Sequence, residues 1–134
     1  MKILIVEDDF IARRLLKDIL SPYGECDTVV DGDEAIQAFR LAWDDNQPYE
    51  LICMDIMMPK MDGQQALLGI RKIEKDLEVR GSDEVKIIMM TALGDPKSVV
   101  DAYYKGGATS YLVKPIEKSK LLKEIRLLGL IRAY

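Results

Sequence analysis

Short, largely apolar runs recur along the chain, each followed by a stretch with apolar residues spaced three and four apart. Ile3-Leu4-Ile5-Val6, Leu51-Ile52-Cys53-Met54, Val85 to Met90 and Tyr111-Leu112-Val113 form the runs. Continuous apolar runs of this length mark strands covered on both faces. Cys26 to Val30 reads as a further short strand. Between the strands lie helical patterns. Phe10 to Leu20 carries Ile11, Leu15, Leu16 and Ile19 at helical spacing, and Gly32 to Trp43 carries Ala35, Ile36, Phe39 and Leu41. Further helices are predicted over Gln64 to about Leu77, Lys97 to Tyr104 and Lys118 to Leu128. Ser21-Pro22-Tyr23-Gly24, Asp44 to Pro48, Pro59 to Gly63, Gly81-Ser82-Asp83 and Gly106-Gly107 punctuate them. Five strand-then-helix units with short connections imply an α/β, doubly wound, five-stranded parallel sheet with helices on both faces. The flavodoxin-like strand order 2-1-3-4-5 is expected.

Composition narrows the function. The chain has 134 residues, 49% hydrophobic and 31% charged, and one domain is expected over 1–134 with its core at about 2–128. A formal net charge of −4 with no basic run argues against direct nucleic-acid or membrane-surface binding. No apolar run reaches the ~20 residues of a bilayer span, and the acidic turn after Val6 does not fit a signal peptide. Cys26 and Cys53 lack metal-ligand spacing, so a reducing compartment, the cytoplasm, is expected. Histidine is absent, which excludes a Ser-His-Asp triad, a His-ligated metal and phosphohistidine chemistry on this chain.

In a parallel sheet the strand C-termini share one edge, where ligands bind. The residues ending the strands are Glu7-Asp8-Asp9, Asp55, Thr91 and Lys114-Pro115. Glu7, Asp8, Asp55, Thr91 and Lys114 are therefore expected to converge, while Asp9 alone reads as a helix cap. Three carboxylates in one cleft repel one another. Lys114 offsets one charge, and the remainder calls for a divalent cation. Oxygen ligands without His or Cys select a hard ion, Mg²⁺ first. Such an ion shares a phosphate oxygen readily, leaving a hydroxyl and an ammonium to grip the others. The pattern is that of phosphoryl transfer to an Asp nucleophile.

Ile5-Val6-Glu7-Asp8-Asp9, Met54 to Gly63, Met89-Met90-Thr91-Ala92 and Gly107 to Pro115 resemble the receiver domain of bacterial two-component response regulators, most nearly the stand-alone chemotaxis type. The resemblance implies that Asp55 is the phospho-acceptor, supplied by a sensor histidine kinase or phosphotransfer protein. It implies that Asp8 and Asp55 bind Mg²⁺ by carboxylate, Met57 by its backbone carbonyl and Glu7 through water. Thr91 and Lys114 would bind phosphoryl oxygens, and Tyr111 would be the aromatic switch residue. The Lys114-Pro115 bond is commonly cis in this family. Phosphorylation would alter a binding face made by helix 97–104, the last strand and the last helix, for an unknown downstream protein or a second copy of the chain.

Three features depart from the chemotaxis type. Glu7 stands where Asp is usual. Asp9 extends the acid pair to a triplet. Residues 71–83 lengthen the connection after the third helix, and an added helical turn with i,i+4 charge pairs is expected there. The alternative of a Mg²⁺-dependent phosphohydrolase is weakened because Asp55-Ile56-Met57 lacks the Asp-x-Asp second carboxylate. A flavin carrier of the same fold would need a phosphate loop where Glu7-Asp8-Asp9 repels phosphate. Catalysis is therefore expected on the chain itself alone: accepting phosphate and slowly hydrolysing it.

Overall fold

The computed structural model describes residues 1–58, 61–91 and 107–132. Five strands form one sheet: β1 (Lys2–Val6), β2 (Glu25–Val29), β3 (Leu51–Asp55), β4 (Lys86–Thr91) and β5 (Ser110–Val113). All neighbours are parallel, in the order β2-β1-β3-β4-β5. The described helices are α1 (Phe10–Leu20), α2 (Gly32–Asp44), α3 (Gly63–Asp76) and α4 (Lys118–Leu127). The doubly wound, flavodoxin-like fold expected from the residue pattern is the one observed. The helix expected over Lys97 to Tyr104 lies outside the described residues.

Side chains alternate across each strand, so the sheet serves two cores. Leu4, Val6, Ile52, Met54, Ile87 and Met89 face one core with Phe39 of α2 and Leu67 and Ile70 of α3. Ile3, Ile5, Cys53, Ile88 and Met90 face the other, with Leu16 and Leu20 of α1 and Leu121 and Ile125 of α4. Strands β1, β3 and β4 are almost wholly buried, which is why they are continuous apolar runs rather than alternating ones.

Several expectations are corrected. On α1 the buried positions are Leu16, Ile19 and Leu20. Ile11 is 76% exposed and Leu15 is exposed too, because both project from the flank of the helix's buried arc. The connection after α3 gains no added helical turn. Glu78 adopts φ 60 and Gly81 φ 61, left-handed conformations that stop a helix, and Gly81–Asp83 forms a 3₁₀ turn. Arg71 pairs there with Glu74, spaced i,i+3, and more distantly with Glu84 at 4.0 Å. Past α4, Leu128, Leu130 and Ile131 pack on the chain's own core. Gly129, at φ 77, permits that return, with the Leu130 N–H donating to the Ile125 carbonyl at 3.2 Å.

Candidate functional site

The register brings the strand ends together. Val6 pairs with Met54, Asp55 with Met90 and Thr91 with Val113, so the residues following β1, β3, β4 and β5 open onto one edge. Beyond β1, the Glu7 N–H donates to the Val29 carbonyl at 3.1 Å, extending the ladder by one residue. The chain then turns into α1, capped by Asp9, whose carboxylate accepts the Ala12 N–H at 2.8 Å. Asp9 is thus committed to the cap. Arg13 clamps the turn from below, donating to the Glu7 carbonyl at 3.0 Å and the Asp8 carbonyl at 3.4 Å. Its helical spacing from the acidic residues is the only signal in the sequence for that role.

Glu7, Asp8 and Asp55 each offer a carboxylate oxygen, and these oxygens lie within 4.8 Å of one another. Glu7 is fully buried and Asp55 is 5% exposed, whereas Asp8 is open to solvent. Lys114 reaches in from the end of β5, its Nζ 2.8 Å from Glu7 Oε2 and 3.1 Å from Asp55 Oδ2. Its backbone is held by an N–H bond to the Thr91 carbonyl at 2.7 Å, and the Lys114–Pro115 bond is cis. Thr91 is buried beside it. Burial, and then the neighbouring Asp55 charge, raise the Glu7 pKa against the opposing Lys114 bond. For Lys114 burial alone would lower the pKa, but its bonds to Glu7 and Asp55 outweigh this and raise it.

The backbone around Asp55 is equally constrained. The Met57 N–H donates to Asp55 Oδ1 at 3.2 Å, while the Met57 side chain is 65% exposed. Gly63, the first residue of α3, donates to the Ile56 carbonyl at 2.8 Å. A Cβ there would strike the Asp55 carbonyl oxygen and lie 2.8 Å from Ile56 Cα, a close approach the sequence signals only as a glycine after the Asp62 cap. Tyr111 stands on β5 opposite Met89, 42% exposed. It lines an open cleft with Ile116, Glu117, Lys120 and Glu124. A second, chiefly apolar cleft of about 570 Å³ opens beside Glu7 and Lys114, between Ile11 and Leu15 of α1 and Pro115-Ile116. Met54, Met89 and Met90 are buried in the core. Of the described cysteines, Cys53 is buried, which pushes its thiol up to about 12, and both are unpaired.

An all-oxygen donor set of clustered carboxylates suits a hard divalent cation. A family model described as a response regulator receiver domain matches residues 3–126. The chain belongs to the response regulator receiver domain family. Receiver domains are signalling domains that use Mg²⁺ at an acidic pocket, and this chain has a cluster of acidic residues in Glu7, Asp8 and Asp55. This receiver is similar to the chemotaxis protein CheY of Bacillus subtilis (strain 168), at 35% identity over 92% of this chain and 93% of that protein. It is also similar to the probable transcriptional regulator ycf27 of Cyanophora paradoxa, at 37% identity over 93% of this chain but 46% of that one. The chain thus spans less than half of that longer relative. Among solved structures it resembles the CheX-CheY-BeF₃-Mg complex from Borrelia burgdorferi, with a TM-score of 0.81 and 28% identity over 96% of this chain and 89% of that one. The receiver domain of Ssk1 bound to the phosphotransfer protein Ypd1, from Saccharomyces cerevisiae, matches with a TM-score of 0.81 and 29% identity over 100% of this chain and 92% of that one. No described helix is long and apolar enough to cross a membrane.

Proposed function

We propose that Asp55 accepts a phosphoryl group from the phosphohistidine of a sensor histidine kinase or phosphotransfer protein. The observation that carries this reading is the setting of Asp55: nearly buried, 3.1 Å from an ammonium and clustered with two further carboxylates. An Asp55 carboxylate oxygen attacks phosphorus, the P–N bond breaks, and its electron pair returns to the donor imidazole. Asp8 and Asp55 by carboxylate, Met57 by its backbone carbonyl and Glu7 at one water's remove would hold Mg²⁺. Bound there, Mg²⁺ neutralises charge on the transferring oxygens. Lys114 and the Thr91 hydroxyl take the remaining oxygens.

The phosphodonor approaches over the apolar cleft beside the site. Ile11 and Leu15 are exposed on α1 at its margin, and an amphipathic helix would cover them. Phosphorylation adds about −1.5 to −2 charges at Asp55. Thr91 moves to meet a phosphoryl oxygen, Tyr111 follows, and the face that includes β5 and α4 changes its partner: a downstream protein or a second copy of this chain.

Acetyl phosphate with Mg²⁺ tests the reading. The chain is expected to gain one phosphoryl group by intact mass, and Asp55→Asn or chelation to abolish the gain. Undiminished phosphorylation of Asp55→Asn would place the acceptor elsewhere.

A further inference from the structure

At the edge of the sheet opposite the acidic site, where β1, β3 and β4 begin, the connections after α2 and α3 enclose a hollow of about 390 Å³. Both connections are held in shape by their own backbone. Asn46, at φ 58, follows the last turn of α2, and its N–H donates to the Trp43 carbonyl at 3.0 Å. Glu78, at φ 60, turns the chain after α3, and the Val79 N–H donates to the Glu74 carbonyl at 2.8 Å. Glu50 is pinned between strands: its N–H donates to the Lys2 carbonyl at 2.9 Å and its carbonyl accepts the Lys86 N–H at 3.1 Å.

The walls of the hollow are aromatic and apolar, from Trp43, Pro48, Tyr49 and Val79, all buried or half-buried. Its rim is acidic, from the exposed side chains of Glu50, Glu78 and Asp83. Among the described residues, none of these three carboxylates is in an ion pair. Nor do they gather round a point. Among the described residues, only Glu7, Asp8 and Asp55 bring three carboxylate oxygens within 4.8 Å of one another. The rim therefore suits an extended cationic ligand better than a single metal ion. Tyr49 is already fixed, with its hydroxyl donating to Asp27 Oδ2 at 2.6 Å, and Lys2 Nζ lies 4.8 Å from its ring centroid, so a cation is drawn to this aromatic wall within the chain itself. The Trp43 indole Nε1 is shut off from solvent and has no hydrogen-bond partner, a rare state for a buried donor. A small turn of the ring would relieve it if the occupant of the hollow carried a carbonyl.

We propose that this hollow docks an extended, arginine-bearing segment of a partner protein. The guanidinium lies against the aromatic wall and donates to the rim carboxylates, and a neighbouring peptide carbonyl of the same segment accepts the Trp43 N–H. Arginine suits the hollow better than lysine, because its planar head stacks on an aromatic face and its fork of donors matches carboxylates. The carbonyl sets a peptide apart from a polyamine, which brings charge without an acceptor. The proposal does not rest on Asp55 being the phospho-acceptor. The hollow opens at the other end of the strands, so the chain holds this segment while the acidic site stays free for its own partner.

The test uses the full chain and acetyl-Gly-Gly-Arg-Gly-Gly-amide as the probe. Trp43 is the single tryptophan, so its fluorescence reads the hollow directly. Titration is expected to change that emission with a dissociation constant of ~1 mM, and to move the amide NMR signals of residues 43–50 and 78–83. Citrulline in place of the probe's arginine keeps the shape without the charge, and is expected to bind about tenfold more weakly. Glu50→Gln combined with Glu78→Gln, both exposed positions, is expected to weaken binding of the arginine probe by about the same factor. Trp43→Phe, followed by NMR, keeps a ring without the N–H and is expected to weaken it about fivefold. Equal binding of the citrulline probe, or undiminished binding by the double variant, would overturn the proposal. So would signals that move only around Glu7, Asp8 and Asp55 and return when Mg²⁺ is added, since the probe would then occupy the acidic site. An unresponsive Trp43 in a chain that sediments as a dimer would overturn it too, by giving the hollow to a second copy.

Discussion

Arg71 joins three segments that are distant in sequence. Its guanidinium donates to Glu74 Oε1 at 2.6 Å, to the Val85 carbonyl at 2.9 Å and to the Gly107 carbonyl at 2.9 Å. Glu74 is buried and its other oxygen accepts the Val85 N–H at 2.7 Å. The pair therefore ties the last turn of α3 to the entry of β4 and to the approach to β5. Removing the cation leaves a buried carboxylate with one neutral donor, which is more costly than losing a surface pair. Arg71→Ala is expected to destabilise the protein by ~3 kcal/mol, read from urea unfolding. Nothing in residues 71–85 announces this network, because its geometry depends on Gly107, which only the folded sheet brings near. Glu7, Asp8, Asp55, Thr91 and Lys114 were legible for the opposite reason: each ends a strand, and a parallel sheet aligns its strand ends whatever the intervening sequence.

Helix α3 shows how an element serves the site. Asp62 and Gln65 form a reciprocal capping box, with the Gln65 N–H donating to Asp62 at 2.9 Å and the Asp62 N–H to Gln65 at 3.1 Å. The box fixes where the helix begins, and Gly63 lets that beginning lie against the backbone of Asp55. Gly63→Ala is expected to destabilise by ~2 kcal/mol through overpacking. It should also slow acetyl-phosphate phosphorylation by moving Asp55; an unchanged rate together with unchanged stability would contradict this account. Element existence was readable because β1, β3 and β4 are apolar throughout and the helices keep their periodicity. Burial within α1 was not. Ile11 and Leu15 share the apolar spacing, yet the sheet covers only the arc of Leu16, Ile19 and Leu20. The apolar pattern gives a face its width, and only packing decides which part is covered.

At the scale of the molecule, the site is an unbalanced charge at one edge of the sheet. Three carboxylates against one ammonium leave two negative charges, the charge of one divalent ion. Mg²⁺ at a hundred times its dissociation constant is expected to raise unfolding stability by ~2.7 kcal/mol, checked by thermal unfolding with and without chelator. In the chelated protein the raised Glu7 pKa has a definite sign. The folded state holds a proton that the unfolded chain, with a value of 4.5, releases. The Glu7 contribution is therefore fully present below pH 4.5 and is lost as pH rises through the folded value. Glu7→Gln should flatten that decline in a pH series of denaturation curves. The bond from Lys114 to Glu7 spans 107 positions of sequence. During synthesis the carboxylates are complete once Asp55 has emerged, but their counter-charge arrives only with the end of β5. A chain interrupted before Lys114 would carry the proposed acceptor and its acidic neighbours without the ammonium that pairs with them. On the proposed reading, a copy truncated before β5 is expected to take less phosphate from acetyl phosphate than the intact chain, read by intact mass.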